Sequence, residues 1–113
     1  MKEISIKKVI QEFISATNEF DVKAALALFA DDAVIDDVSV GKKFKNVAGV
    51  REYLEKFFVG YHTVTKLESV NVLNKQQAKA RVDFTGDFGH EMGGLNFIIN
   101  SNGLITAIDA HLD

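Results

Sequence analysis

Around Tyr61 the spacing of apolar residues changes from every third or fourth position to every second. That switch confines the chain to helices first and sheet afterwards. Ile4, Ile6, Val9, Ile10, Phe13, Ile14 and Thr17 predict a helix with one apolar stripe. Asn18-Glu19-Phe20 breaks it. Asp21 is placed to cap a second helix over Val22 to Phe29, packed closely through Ala24, Ala25, Leu26 and Leu28. Val34 to Val38 reads as a short strand. Gly41 and the lysines after it read as a loop from which Phe44 returns to the core. Asn46 is a second N-cap, opening a helix in which Val47, Val50, Leu54 and Phe57 share one face, with Tyr53 and Phe58 beside it.

Beyond Tyr61, Thr63 to Leu73 is strand-like with a bulge between Leu67 and Val70. After a turn at Asn74-Lys75-Gln76-Gln77 comes the clearest alternation in the chain. Ala78, Ala80, Val82 and Phe84 take one face, with Phe88 next in line. Lys79, Arg81, Asp83, Thr85 and Asp87 take the other. Gly86, Gly89, Gly93 and Gly94 predict a bend or wide hairpin around His90-Glu91-Met92. Leu95 to Asn100 and Leu104 to Leu112 are strands joined by a turn at Ser101-Asn102-Gly103. The fold class expected is α+β: three N-terminal helices on a strongly curved, mainly antiparallel sheet. Such a layout encloses a cone-shaped cavity, where small ligands sit.

The 113 residues suffice for one domain, 1–113, and carry no repeat or low-complexity linker. Lysine and arginine number 13 against 16 acids, a net charge of -3, with no concentrated basic footprint for nucleic acid. Lys42, Lys43 and Lys45 are the densest basic cluster and read as a solvated loop. The absence of cysteine excludes disulfides, thiolate metal sites and a Cys nucleophile. The alternation of charged and apolar residues at Lys2, Glu3, Ile4, Lys7, Lys8 and Val9 is not the unbroken apolar core of a signal peptide, and no run reaches membrane-spanning length. A cytoplasmic location is the default expectation.

Chemistry centres on Asp36 and Asp37. Successive strand side chains point to opposite faces, so one of the two points inwards. A carboxylate facing an apolar interior is costly and is either partnered or used. Asp37, at the strand's end near the cavity mouth, fits a general base, whose neutral form burial favours. The structural alternative is that Asp36 or Asp37 caps a backbone amide or faces water.

His62 or Tyr61 could point into the cavity, while His90 reads as solvated. Asp109, His111 and Asp113 share one strand face at a spacing compatible with a metal. Their face is the outer one, since Thr106, Ile108, Ala110 and Leu112 should face the cavity; no metal is expected.

The chain resembles the nuclear-transport-factor-two-like superfamily, which includes ketosteroid isomerases, SnoaL-type polyketide cyclases and limonene epoxide hydrolase. The residues that carry the resemblance are Leu28-Phe29-Ala30-Asp31-Asp32-Ala33-Val34 followed by Asp36-Asp37, Gly49-Val50-Arg51-Glu52-Tyr53-Leu54, and the hairpin from Phe97 to Asp109. It spans essentially the whole chain and implies the cone-shaped fold of cystatin-like topology. It specifies no reaction, because this fold hosts many.

Aligned on Phe29-Ala30-Asp31-Asp32-Ala33, Asp37 falls where ketosteroid isomerases hold their general base. Their oxyanion-donating tyrosine falls on Phe13, their protonated aspartic acid near Leu95, and the proline after the base on Val38. Loss of both donors removes a large catalytic term and argues against steroid isomerisation. Arg81 and Asp83 have the mutual spacing of the epoxide hydrolase set but lie on the polar face of their strand.

The resemblance implies binding of a small, mostly hydrophobic molecule. Its enzymatic version is a SnoaL-like isomerase or cyclase using Asp37 as base, without cofactor. The competing class is a non-catalytic carrier or scaffold whose pocket its own side chains fill. The residues expected to line the pocket are Phe13, Tyr53, Phe57, Tyr61, Phe84, Leu95, Phe97, Ile108 and Leu112. Members of the superfamily often pair through the outer sheet face. Here that face mixes charges of both signs on Lys79, Arg81, Asp83, Asp109 and His111, which suits a homodimer.

Overall fold

The computed structural model describes residues 5–113; Lys2, Glu3 and Ile4, part of the alternation read above, lie outside the described residues. Helix α1 spans Ile6–Asn18 and buries the expected stripe, from Val9 and Ile10 through Phe13, Ile14 and Thr17. Ser5 caps it, accepting from the Lys8 N–H at 3.4 Å. Asn18 ties its other end to the sheet. The Asn18 amide donates to the Thr65 carbonyl at 2.9 Å, and the Thr65 N–H donates to Asn18 Oδ1 at 2.7 Å.

Asp21 caps α2, Val22–Leu26, by accepting from the Ala24 N–H at 3.0 Å. That helix is shorter than its apolar pattern predicts, because Phe29 already belongs to strand β1, Phe29–Asp37. Asp31-Asp32, ahead of the strand predicted from Val34, is strand as well. Both acids are exposed, within a register irregularity between Phe29 and Val34 that separates them from regular pairing.

The lysine loop is also a strand. Lys42–Lys45 forms β2, antiparallel to β1, with Lys43 opposite Asp36 and Lys42 opposite Asp37. Opposite charges across neighbouring strands favour this pairing, and lysines on an edge discourage further strands from adding. Phe44 turns inward from it as expected, 3% exposed.

Helix α3, Asn46–Tyr53, follows directly, but Asn46 makes no side-chain cap. It takes φ +66°, a left-handed conformation that asparagine tolerates better than most residues. From Leu54 to Val59 the helix widens into a π-helical segment. Hydrogen bonds there reach back five residues, from Gly60 N–H to Glu55 C=O and from Thr63 N–H to Phe58 C=O, both 2.8 Å. The phase therefore shifts. Tyr53, Leu54 and Phe58 are buried, Phe57 is half-buried, and Val47 is exposed, in place of the single face predicted through Val47 and Phe57.

Strands β3 (Val64–Asn74), β4 (Gln77–Gly86), β5 (Gly89–Ile99) and β6 (Ile105–Leu112) complete one six-stranded sheet of order β2-β1-β6-β5-β4-β3. All pairs are antiparallel except β1 with β6. The bulge in β3 falls between Leu67 and Ser69. The wide hairpin expected around His90-Glu91-Met92 is instead a tight one. Gly86 pairs with Gly89, leaving Asp87-Phe88 as the turn, and the residues from His90 onward are already strand. Gly93 and Gly94 lie inside β5, where a Cβ would run into the His111 carbonyl and imidazole of β6.

Helix α1 packs on β3 and β4, and α3 on β1. Phe13 forms the hub between helices and sheet, its ring centroid 5.4 Å from Phe97, 5.9 Å from Phe29 and 6.0 Å from Phe58. The result is a curved α+β cone of cystatin-like topology. No helix among the described residues is long and apolar enough to cross a membrane.

Candidate functional site

Alternation along β1 decides the question of the paired acids. Ala33, Ile35 and Asp37 are buried on the inner face, and Asp36 lies half-buried on the opposite one. Asp37 is 6% exposed and well partnered. Its Oδ1 accepts from the Ser39 N–H at 2.9 Å and from the Ser39 hydroxyl at 2.5 Å. Its Oδ2 accepts from the Tyr53 hydroxyl at 2.6 Å. Asp37 thus caps a neighbouring amide, as its structural reading supposed, and also faces a hollow.

The Tyr53 hydroxyl is buried on Asp37. Burial, the adjacent Asp37 carboxylate and the hydrogen bond to it hold the Tyr53 hydroxyl well above its ordinary pKa.

Beside this pair opens a cavity of about 460 Å³, within the range of small-molecule sites. The π-helical segment builds one wall. Tyr53, Phe57 and Tyr61 recur every four residues, and the wider turn keeps them in line, with centroids 4.9 Å and 5.9 Å apart. Phe58 and Phe84 supply the floor, 6.5 Å apart, and Phe88 from the β4–β5 turn meets Tyr61 at 6.2 Å. Ala110, His111 and Leu112 of β6 and the rim acids Asp87 and Glu91 complete the lining, with Ser39, Val40 and Thr63. The Thr63 hydroxyl donates to the Phe57 carbonyl at 2.5 Å, which fixes the segment's exit.

The structure brings Asp37, Tyr53, Phe57, Tyr61, Phe84 and Leu112 together around the cavity. It does not bring Phe13, Leu95, Phe97 or Ile108 there. These four are buried in the core, 0–3% exposed. The sequence pattern could not separate core from wall, since both are apolar on the same sheet face. It passed over Ser39, whose position two residues after an aspartate is the signature of a local side-chain turn.

The remaining polar candidates lie elsewhere. His62 takes φ +54° and bonds Asp87 at 2.9 Å outside the cavity. His90 contacts Asp83 at 2.5 Å. Arg81 forms a two-pronged ion pair with Asp113, one prong at 2.9 Å. Arg81 and Asp83 are therefore engaged away from the cavity lining and supply no acid-arginine-acid set inside it. Among the described residues, no three metal-ligating side chains converge.

Known structures share this frame. The chain superposes on RV0760c from Mycobacterium tuberculosis in complex with estradiol-17beta-hemisuccinate with a TM-score of 0.81, at 21% identity over 90% of this chain and 88% of that one. A computationally designed 17-OHP binder gives 0.83 at 19% identity, over 93% and 90%. The epoxide hydrolase/cyclase-like enzyme SalBIII, of pyran ring formation in polyether salinomycin, gives 0.84 at 19% identity, over 96% and 90%. At such identities the likeness is one of fold. No curated protein matches the chain. The family model of the SnoaL-like domain matches residues 10–107, from the middle of α1 into β6. That span contains the buried acid, its tyrosine partner and the π-helical wall, and by it the chain belongs to the SnoaL-like domain family.

Proposed function

We propose that the chain binds a small, mostly hydrophobic molecule in the cavity beside Asp37 and Tyr53. The observation that carries this reading is the hollow itself: about 460 Å³ bounded largely by aromatic rings, with one buried polar pair at its edge. That combination matches the chemistry of ligand sites, apolar walls with a few placed polar groups. It supports binding over a scaffold whose centre is filled. Two structural neighbours are described with steroid-type ligands, which adds support for ligand size.

Titration calorimetry with 17-hydroxyprogesterone tests the reading. Micromolar binding is expected, and Leu112→Trp, at an exposed position on the rim, should weaken it by about tenfold by obstructing entry. Absence of heat with this and other steroid-sized ligands would overturn it.

A second reading, acid-base isomerisation or cyclisation with Asp37 as base, is supported by that acid's place on the cavity wall. It has less support than binding. Both Asp37 oxygens already accept hydrogen bonds. The Tyr53 hydroxyl, the obvious oxyanion donor, already donates its hydrogen bond to Asp37. Phe13 and Leu95 add no donor. Asp37→Asn would separate the two, since proton exchange on a bound ketone would vanish while binding persisted.

The same proposal includes a single domain across 1–113, a homodimer through the mixed-charge outer face of the sheet, and a cytoplasmic setting. The dimer draws support from the two-sign charge pattern and is checked by sedimentation at micromolar concentration. The domain extent draws support from the matched span. The location rests on the sequence reading alone.

A further inference from the structure

Six aromatic rings line the cavity, and they form one unbroken chain of contacts. Phe84 meets Phe58, Phe58 meets Tyr53, Tyr53 meets Phe57, Phe57 meets Tyr61, and Tyr61 meets Phe88, with centroids between 4.9 and 6.5 Å apart. All five contacts are edge-on or tilted rather than stacked. The charged groups of the lining are also one-sided. Asp37 is buried, and Asp87 and Glu91 stand exposed at the rim. No lysine or arginine belongs to the lining, and His111 is its only other titratable side chain besides the two tyrosines.

An aromatic ring is negative on its face, so a wall of rings backed by carboxylates attracts a cation and repels an anion. Field lines concentrate in a hollow with apolar walls, which strengthens both effects. The outer side of the wall already shows the contact in miniature: Lys56, which does not line the cavity, sets its ammonium 5.5 Å from the Phe57 centroid.

We infer that the cavity selects hydrophobic molecules carrying a protonated or quaternary ammonium over neutral or carboxylate-bearing ones of the same shape. This rests on the ligand-binding reading above and names the charge class of the ligand. The apolar body packs against Phe58, Phe84 and Leu112. The ammonium lies against the rings of Tyr61 and Phe88, facing Glu91 and the Asp87 oxygen that His62 leaves unbonded. A carboxylate in the same place would meet like charge at the rim and find no lysine or arginine of the lining to pair with.

Three probes of one shape decide it: 1-pyrenemethylamine, 1-pyrenemethanol and 1-pyrenecarboxylic acid, each followed by pyrene fluorescence at neutral pH. The amine is expected to bind about tenfold more tightly than the alcohol, and the acid more weakly than either. Raising the salt should narrow the spread. The double variant D87N/E91Q, both changes at exposed positions, should also narrow it, chiefly by weakening the amine. Equal affinities, or an acid that binds best, would overturn this inference and leave the ligand-binding reading intact. An amine preference indifferent to both salt and the double variant would also overturn it. If none of the three probes binds, nor any steroid-sized ligand, the ligand-binding reading itself fails, and this inference with it.

Discussion

The two ends of the same curved sheet treat the same kind of residue in opposite ways. In the core, Phe13 of α1 and the strand residues Phe97, Ile108 and Leu95 are packed solid, Phe13 and Phe97 edge to face, with 0–3% exposure. Under the π-helical segment, Phe57, Phe84 and Tyr61 stand around a hollow. Sequence composition does not distinguish the two groups. What differs is the element that covers them. A regular helix with a continuous apolar stripe lies down on β3 and β4 and fills the space. A widened turn holds its rings in a row and turns them towards the space instead. An aromatic residue in this fold is therefore core or wall according to the helix opposite it.

That contrast can be broken by substitution. Phe97→Ala, at a position 0% exposed, should cost about 3–5 kcal/mol in urea unfolding, since the dense surroundings relax little into the void. Phe57→Ala removes a ring of the same size from a wall already facing a hollow, and should cost about 1 kcal/mol while weakening ligand binding. Equal losses would show that the hollow is closed in solution.

The buried acid comes next. Asp37→Ala strands the Tyr53 hydroxyl and the Ser39 amide, and about 2 kcal/mol of destabilisation is expected by the same measurement.

Tyr53→Phe removes a single donor and should cost about 1 kcal/mol, with a pH signature that separates it from simple packing loss. The folded-state pKa of Tyr53 is raised. Its contribution is therefore full below the ordinary value of 10.0 and is lost as pH rises from there through the folded value, because the unfolded chain releases that proton first. The wild type should lose stability steeply above pH 10, and Tyr53→Phe should flatten that limb.

The smallest effect belongs to the opposite face of the sheet. Arg81, chiefly through its hydrogen bond, holds the Asp113 carboxyl below its ordinary value of 3.8. Any stability it lends is present above that value and lost as pH falls through the folded one. Both groups are exposed, so Arg81→Ala should shift the acid limb only slightly, and salt should erase the difference.

The sequence exposed the elements whose periodicity is strong and local. The stripe from Val9 to Thr17, the alternation from Ala78 to Phe84 and the turn at Gly103 all stand where their spacing places them. Asp37 was also accessible, because a period of two forces one of two adjacent acids inward. Its partnership with Tyr53 was not. That bond joins the end of β1 to the end of α3 and requires β2 to fold back between them, yet Lys42–Lys45 reads as solvated loop by composition. The widened helix was hidden for a related reason. Helical phase counted at ordinary pitch puts Val47 and Phe57 together, and nothing in Leu54–Val59 announces the extra residue per turn. Four of the nine residues expected to touch a ligand belong to the core, three of them, Leu95, Phe97 and Ile108, because core and wall share one sheet face.

The parallel union of β1 with β6 has a consequence for how the molecule comes into being. Asp37 sits beside Ala110, and the Val38 amide bonds the Ala110 carbonyl at 3.1 Å, so the floor of the chamber is stitched from stretches far apart in the polypeptide. A ribosome must deliver β6 before the acid has its neighbour. Contacts so distant along a chain close late and slowly. A chamber walled in this way closes late as the chain folds, and it is among the first features that loss of the β1–β6 pairing would take away.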